Sequence, residues 1–245
     1  MADTAEHRTV HLWSLVEDVT VETGDTDDRL ELTGRWGTEW VDGADPVVRA
    51  ALRRMELGPI LLANVVPAPK PADAAQPPGS GTPAGSAEPH GPPDVEPSEE
   101  PSAEPSDASG VLMLVAGLER FSHLIVRTLG LDDLRGPLLS VTPLSPQASF
   151  ALLRLPGEEP IWLPRDTTFT LRPGGFILES PNSPHRVTLH RPEAVWAVGM
   201  LAWPVTPDDV SRALPLPSAV TKDILEYLAA ASMAMPAESV RPPVP

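Results

Sequence analysis

His185 and His190 lie close together in the sequence and could bind a metal, because imidazole is the commonest metal ligand in proteins. The two lie five positions apart in a stretch of alternating polar and apolar residues, so they fall on opposite faces of the predicted strand. The chain has no cysteine, and no cluster of carboxylates accompanies the two histidines. We therefore expect no metal site, and we expect both histidines to face solvent.

Motifs for nucleophilic catalysis and phosphate binding are also missing from the sequence. No serine stands in a Gly-x-Ser-x-Gly turn, and the glycine pair Gly174–Gly175 joins two predicted strands rather than a strand and a helix. The acidic pairs Asp132–Asp133, Glu158–Glu159 and Asp208–Asp209 lie in predicted turns or first helical turns, where capping accounts for them. We predict no catalytic, metal-binding or cofactor-binding residue in this chain.

The charge balance restricts the partners of the chain. Asp and Glu number 34 against 18 Lys and Arg, which gives a formal net charge of -16. A phosphate backbone or an anionic membrane surface would be repelled over most of such a molecule. The N-terminus lacks the basic and apolar regions of a signal peptide, and no apolar run reaches the ~18 residues of a membrane span. We expect a cytoplasmic protein with neither nucleic acid nor membrane as partner.

A proline-rich stretch divides the chain. Residues 67–109 consist almost entirely of Pro, Ala, Gly, Ser, Glu and Asp, and the whole chain has 32 prolines. Such a segment has too few apolar side chains to offset its ordering entropy by burial, so we predict a disordered, extended linker. Recognition of its prolines by a partner module is the alternative. Residues 236–245 have a similar composition and are assigned as a Pro-rich tail.

One pattern occurs on each side of this linker: short strands with polar turns, followed by a helix that begins at a proline. The first copy places strands at residues 18–21, 30–32 and 38–41, and a helix from Pro46 to Gly58. The second copy places strands at residues 166–169, 176–178 and 186–189, and a helix from Pro192. Such repetition indicates one supersecondary unit used twice.

The remaining periodic segments complete the predicted architecture. They are strands at 9–16, 137–142 and 149–154, and helices at 111–129, 193–201, 206–214 and 218–235. Three strands that lead into three short helices are typical of a winged helix. We predict an α+β fold with a first winged-helix-like unit in 1–66 and a helix plus a second unit in 110–235. The first unit has about 60 residues, too few for a stable core of its own, so it should pack on the second.

The last predicted helix does not have the charge of a DNA-reading helix. It carries Lys222 as its only cation, against Asp223 and Glu226. A recognition helix in a major groove needs basic residues along its length. A strand edge beside a helix can instead accept an extended peptide through main-chain hydrogen bonds and side-chain pockets.

Two stretches in the second half carry a resemblance to a known family. They are Leu178-Glu-Ser-Pro-Asn-Ser-Pro-His-Arg-Val-Thr-Leu-His190, followed by a Pro-Glu-Ala helix, and Pro204-Val-Thr-Pro-Asp-Asp-Val210; residues 13–19 and 46–52 match more loosely. This part of the chain resembles the N-terminal region of SagB/ThcOx-type dehydrogenases, FMN-dependent enzymes that oxidise azolines to azoles in thiazole/oxazole-modified ribosomal peptides. In that family tandem winged-helix units of PqqD-like type recognise the precursor peptide and precede a nitroreductase-fold domain.

The resemblance implies a role in peptide recognition rather than catalysis. The flavin-binding portion of the family would lie beyond Pro245, so we expect no cofactor in this chain and FMN in a partner. The implied function is a non-catalytic component that presents a precursor leader peptide to a separate dehydrogenase or cyclodehydratase subunit. A split half of the dehydrogenase itself and a winged-helix regulator are the alternatives. By family analogy the leader adds along one strand and against the final helix, at Arg186, Val187, Thr188, Leu189, Ile224 and Leu228.

Overall fold

The computed structural model describes residues 8–24, 29–66 and 106–237, which form a mixed α+β fold. The strands are β1 (Thr9–Leu15), β2 (Thr20–Thr23), β3 (Arg29–Gly34), β4 (Gly37–Asp42), β5 (Ile125–Leu131), β6 (Pro137–Pro143), β7 (Ile161–Trp162), β8 (Thr168–Arg172), β9 (Gly175–Glu179), β10 (His185–Leu189) and β11 (Met235–Pro236). The helices are α1 (Pro46–Leu57), α2 (Ser106–Glu119), α3 (Pro192–Met200), α4 (Pro207–Ala213) and α5 (Ser218–Ala230). No helix among these residues is both apolar enough and long enough to cross a bilayer.

The largest sheet has six antiparallel strands in the order β1-β5-β6-β10-β9-β8. Its first strand precedes the proline-rich stretch in the sequence, and the other five follow it. Strands β2, β3 and β4 form a separate antiparallel meander, and β7 pairs with β11 in a two-stranded ribbon. The described strands therefore belong to one large sheet and two small ones.

Local sequence signals explain where three of the helices begin. Proline is the first residue of α1, α3 and α4. A backbone N–H at this position would have no hydrogen-bond acceptor within the helix, so its absence in proline costs nothing. The Asp45 carboxylate accepts a hydrogen bond from the Val47 N–H at 2.7 Å, and the Thr206 hydroxyl accepts one from the Asp209 N–H at 3.1 Å. These starts were predicted from the sequence and are confirmed.

One face of the six-stranded sheet is covered by helices α3 and α5, which pack on β6. Alternate residues of β10 point into this core, where Val187 and Leu189 are almost fully buried. Ile224 and Leu228 of α5 enter the same apolar cluster. The second half of the chain thus has a continuous core of its own.

A second core joins residues from both sides of the proline-rich stretch. Trp13 and Leu52 come from before it, and Leu118, Phe121 and Ile125 come from after it, yet all five belong to one buried cluster. Strand β1 also pairs with β5 along its whole length. The expectation that the first segment packs on the second half is confirmed, because β1 and α1 bury their apolar faces there.

Three predicted elements differ from the structure. The helix predicted at 111–129 ends at Glu119; after a 3-10 turn the chain continues as β5, where Ile125, Val126 and Thr128 pair with β1. β-branched residues favour that pleated setting, and strand pairing overrides a helical apolar period that was equally present in the sequence. The segment 149–154 forms no strand, and the final helix ends at Ala230 rather than at 235.

The predicted linker and tail fall mainly on residues that the structure does not describe. Positions 67–105 and 238–245 lie outside the described residues, as do 1–7 and 25–28. Residues 106–109, assigned to the linker from their composition, instead form the first turn of α2. Pro236, assigned to the tail, pairs with Ile161 in the ribbon of β7 and β11.

Candidate functional site

The strand predicted to accept a peptide is an interior strand of the large sheet. Arg186, Val187, Thr188 and Leu189 of β10 pair with β6 on one side and with β9 on the other. Both rows of main-chain groups are therefore already used within the chain. The prediction that a peptide adds along Arg186 to Leu189 is wrong, because strand β6 occupies that position.

The side chains predicted to support that peptide are also inaccessible. Ile224 and Leu228 of α5 are completely buried in the core beneath the sheet. They contribute to the packing of α5 and cannot contact a ligand without local unfolding. The sequence pattern correctly assigned them to the inner face of the helix, but that face is covered by the protein itself.

The two histidines lie on opposite faces of the sheet, as expected, but only one of them faces solvent. His190 is exposed, and its ring nitrogens lie 3.0 Å from the Ser140 hydroxyl and 3.2 Å from the Gly174 carbonyl oxygen. His185 is 2 % exposed, packs against Phe150, and has no hydrogen-bond partner for either ring nitrogen. The expectation of two solvent-facing histidines is wrong for His185.

Burial determines the ionisation of His185. Desolvation lowers the pKa of its imidazole to about 4, so the ring is neutral at physiological pH. Across the described ranges, no group of three or more potential ligand side chains is placed to hold a metal ion. His185 is therefore a buried core residue in this structure.

Strand β8 lies at one edge of the large sheet, and β1 lies at the other. Among the described residues β8 pairs only with β9, and all five of its side chains are exposed. Alternate main-chain N–H and C=O groups of an edge strand point away from the sheet and can pair with another strand. β8 therefore has the accessible strand margin that was predicted, incorrectly, at Arg186 to Leu189.

The apolar face of the sheet that is packed against the core extends to the edge strand β8. Phe169 is 48 % exposed and Leu171 is 68 % exposed, although they are opposite Leu178 and Phe176 of β9, whose side chains point toward the core. Phe169 stacks on Phe176 with the ring centroids 4.7 Å apart. Helices α3 and α5 cover β6, and they leave this outer part of the apolar face open.

Helix α3 borders this open face with another aromatic side chain. Trp196 is 46 % exposed, and a cavity of about 260 Å³ lies between it, Leu171, Phe176 and Leu189. We call Phe169, Leu171, Phe176 and Trp196 the β8 shelf. The shelf combines an unpaired strand edge with a side-chain pocket beside a helix.

Gly175 fixes the hairpin that presents the β8 shelf. Its φ is +132°, and a Cβ there would lie 2.2 Å from the carbonyl oxygen of Leu189. Only glycine tolerates both the backbone conformation and this close approach. The sequence predicted this strand at 166–169, two residues before the start of β8 at Thr168, but it carries no signal that β8 is an edge.

A second, larger cavity lies at the other end of the sheet. It has a volume of about 890 Å³ and is lined by residues of β1, β5, α2, α5 and the segment after β6. Trp13, Val115, Phe150 and Tyr227 supply mainly apolar walls, and Arg127 of β5 supplies a guanidinium group. We call this the Arg127 cavity.

Arg127 is a charged residue buried beside mainly apolar walls. It is 7 % exposed, its Nε has no hydrogen-bond partner, and no carboxylate of the described residues forms an ion pair with it. Its guanidinium lies over the ring of Trp13 and 5.8 Å from the ring centre of Phe150. Burial lowers the pKa of the Arg127 side chain to about 9.

The aromatic contacts alone do not offset the free-energy cost of burying this charge. A desolvated cation–π contact contributes about 2 kcal/mol, whereas an uncompensated buried ion costs several kcal/mol. The charge of Glu119 opposes the effect of burial but forms no ion pair with Arg127, so the guanidinium retains a preference for an anion. A single arginine within a strand has no distinguishing local pattern, so the sequence did not identify Arg127 as a functional residue.

Neighbouring polar groups in the Arg127 cavity are paired with each other. His11 Nδ1 lies 2.9 Å from the Tyr227 hydroxyl, and the two rings stack with centroids 5.6 Å apart. Burial lowers the pKa of His11 and raises the pKa of Tyr227, so both are neutral at pH 7. The acidic residues Glu119 and Asp132 also line the cavity.

Comparison with protein-family models gave no match to this chain, and comparison with curated proteins gave none.

Proposed function

We propose that this chain is a non-catalytic peptide-recognition component of a thiazole/oxazole-forming peptide maturase, acting with a separate SagB-type, FMN-dependent dehydrogenase. The observation that supports this most directly is the free β8 edge with its uncovered apolar shelf. The resemblance in residues 178–210 supplies the class of partner. The flavin belongs to the partner in this proposal.

The element order supports assignment of the second half as a winged-helix unit of PqqD-like type. Three antiparallel strands, β8, β9 and β10, are followed by three short helices, α3, α4 and α5. In this proposal β6 takes the place beside β10 where the related units receive a leader peptide. The peptide partner of this chain must then bind at the other margin of the three strands.

An extended precursor peptide fits the β8 shelf by strand addition. Its main chain pairs with the outward-facing groups of β8, and alternate side chains fall on the inner face of the extended sheet. Those side chains contact Phe169 and Leu171, and one of them reaches the cavity beside Trp196. We expect apolar residues at alternate positions of the bound segment.

The charge of α5 does not support a DNA-binding regulator. Lys222 lies 3.1 Å from the Asp208 carboxylate, and Asp223 accepts a hydrogen bond from the Thr9 hydroxyl. A helix with one paired cation offers little attraction to phosphates. Peptide capture is the function that the geometry favours.

The proposed function is tested by titrating the full chain with the leader peptide encoded by the neighbouring open reading frame. We expect amide chemical-shift changes in Thr168 to Arg172 and in the Trp196 indole signal. The variant Trp196→Ala should weaken binding about tenfold, since a buried aromatic contact contributes 1 kcal/mol or more.

Trp203→Ala is the matched control for this experiment. Trp203 is 74 % exposed and lies after α3, outside the β8 shelf. Its truncation should leave the affinity unchanged. Equal losses in the two variants, or a saturable titration that leaves the β8 amides unmoved, would contradict the proposed function.

A further inference from the structure

The Arg127 cavity lies beside β1 and β5, at the opposite end of the six-stranded sheet from β8. It is therefore independent of peptide capture at the β8 shelf. Its volume of about 890 Å³ is within the range of about 300–1,000 Å³ that is usual for small-molecule sites. Such sites combine apolar walls with a few polar groups that fix the orientation of the ligand.

Arg127 is the polar group that could fix a ligand here. Its side chain is more than nine-tenths buried, it lines the cavity, and within the described part of the chain it has neither an ion pair nor a hydrogen bond. The planar guanidinium can donate two parallel hydrogen bonds to a carboxylate. The guanidinium carbon of Arg127 lies over the ring of Trp13.

The surroundings of Arg127 select the kind of anion. The neutral pair of His11 and Tyr227 adds no positive charge, and Glu119 and Asp132 line the same cavity. The exposed Arg8 also lines the cavity, so a doubly charged phosphate would meet two cations and two carboxylates, of which only Arg127 is buried. A singly charged carboxylate on an apolar body suits one guanidinium and walls of Val115, Phe150 and Leu152.

We propose that the Arg127 cavity is a binding site for a small monocarboxylate with an aromatic or aliphatic body, its carboxylate held by Arg127 and its apolar part against Trp13 and Phe150. Two sources share this chemistry, a free organic acid and the C-terminus of a peptide that ends in an apolar residue. The carboxylate supplies the anion that the buried guanidinium lacks.

The experiment uses the full chain at pH 7, titrated by calorimetry with phenylacetate and with N-acetylphenylalanine. The first probe represents a free acid and the second a peptide C-terminus; the matched amides, phenylacetamide and N-acetylphenylalaninamide, lack the charge. We expect at least one acid to bind at least tenfold more tightly than its amide. No binding of either acid, or equal binding of acids and amides, would overturn the proposal.

Variants assign the binding to Arg127 itself. Arg127→Met should remove the preference for acids over amides and leave the fold intact, because it replaces an unpaired buried charge by an apolar side chain. Arg165→Met is the matched control, since Arg165 also lies over a tryptophan, Trp162, but does not line the cavity. An unchanged acid preference in Arg127→Met would also overturn the proposal.

A second variant keeps the test decisive if Arg127→Met fails to fold. Ala151→Trp places a large side chain at the cavity wall and retains Arg127, and residue 151 is exposed enough to accept it. This variant should fold and should bind the acids at least tenfold more weakly. Undiminished acid binding by folded Ala151→Trp would place the ligand elsewhere and overturn the site.

Discussion

Gly175 holds a backbone conformation that no other residue type adopts without strain, and the β8 hairpin depends on it. The replacement Gly175→Ala should lower the free energy of unfolding by about 3 kcal/mol, from left-handed strain and a clash with the Leu189 carbonyl oxygen. Gly174→Ala is the control, because a Cβ at Gly174 meets no atom within 4 Å. Urea unfolding of both variants measures the difference. Equal stability of the two would show that the hairpin accommodates a side chain at position 175.

His185 gives the protein a specific pH dependence. Its folded-state pKa of about 4 lies below the 6.5 of an unfolded imidazole. The folded state therefore has its full stability above pH 6.5 and loses stability as the pH falls toward 4, because the unfolded chain binds the proton first. Between pH 7.5 and pH 5 this residue should account for a loss of about 2 kcal/mol.

The variant His185→Leu isolates that contribution. It replaces an imidazole that has no hydrogen-bond partner by an apolar side chain, so stability at pH 7.5 should be retained. Urea unfolding at pH 7.5 and pH 5 should then show a smaller loss for the variant than for the wild type, since all other titrating groups are common to both. Parallel losses would contradict the assignment of the pH dependence to His185.

At the scale of elements, the start of α3 is connected to the turn between β5 and β6 by charged side chains. Arg191 donates hydrogen bonds to Asp133 at 3.0 Å and to Glu193 at 2.5 Å, and its side chain is 8 % exposed. Hydrogen bonds from Arg135 and Arg191 outweigh the opposing effect of burial and lower the pKa of Asp133 to about 2. The cluster therefore fixes the N-terminus of α3 over the sheet.

Removal of Arg191 should loosen this connection. Arg191→Met leaves the carboxylates of Asp133 and Glu193 with only the largely exposed Arg135 as a cation, and we expect a loss of about 2 kcal/mol, between the values for exposed and buried pairs. Arg212→Met is the matched control, because its pair with Asp209 is largely exposed and should contribute less than about 0.5 kcal/mol. Chemical denaturation of the two variants and the wild type measures both losses in the free energy of unfolding. A loss in Arg191→Met no larger than in the control would contradict a structural role for the cluster.

The elements that the sequence predicted well are those with local signals. Proline starts located α1, α3 and α4, side-chain caps supported α1 and α4, and polar–apolar alternation located β10. The helix predicted at 111–129 failed in its second half because β1 provides a pairing partner for Ile125 to Leu131. Periodicity in one segment contains no information about a partner more than 100 positions away.

At the scale of the whole molecule, the two parts of the chain form one folded unit. Fragment 106–245 alone should be incompletely folded, since it would expose Leu118, Phe121 and Ile125 to water. Co-expression with fragment 1–66 should restore a stable 1:1 complex, even without residues 67–105. Size-exclusion chromatography and amide dispersion in NMR spectra measure both outcomes.

The variant Leu52→Asp in fragment 1–66 is the control for this reassembly. Leu52 is completely buried in the shared core, so a charge there should abolish association. A fragment 106–245 that folds as well alone as in the complex would contradict the single-unit interpretation. The proline-rich residues would then connect two independent domains.

The sequence by itself determined the α+β class, the starts of α1, α3 and α4, and the inner faces of several helices and strands, because each depends on residue type and local spacing. It also assigned Ile224 and Leu228 to an inner face and His185 and His190 to opposite faces. Tertiary structure alone decided that β10 is interior, that β8 lies at an edge and that Arg127 is buried with no hydrogen-bond partner for its Nε. Strand order and cavity position arise from pairings between distant segments, and those pairings leave no periodic trace in either segment.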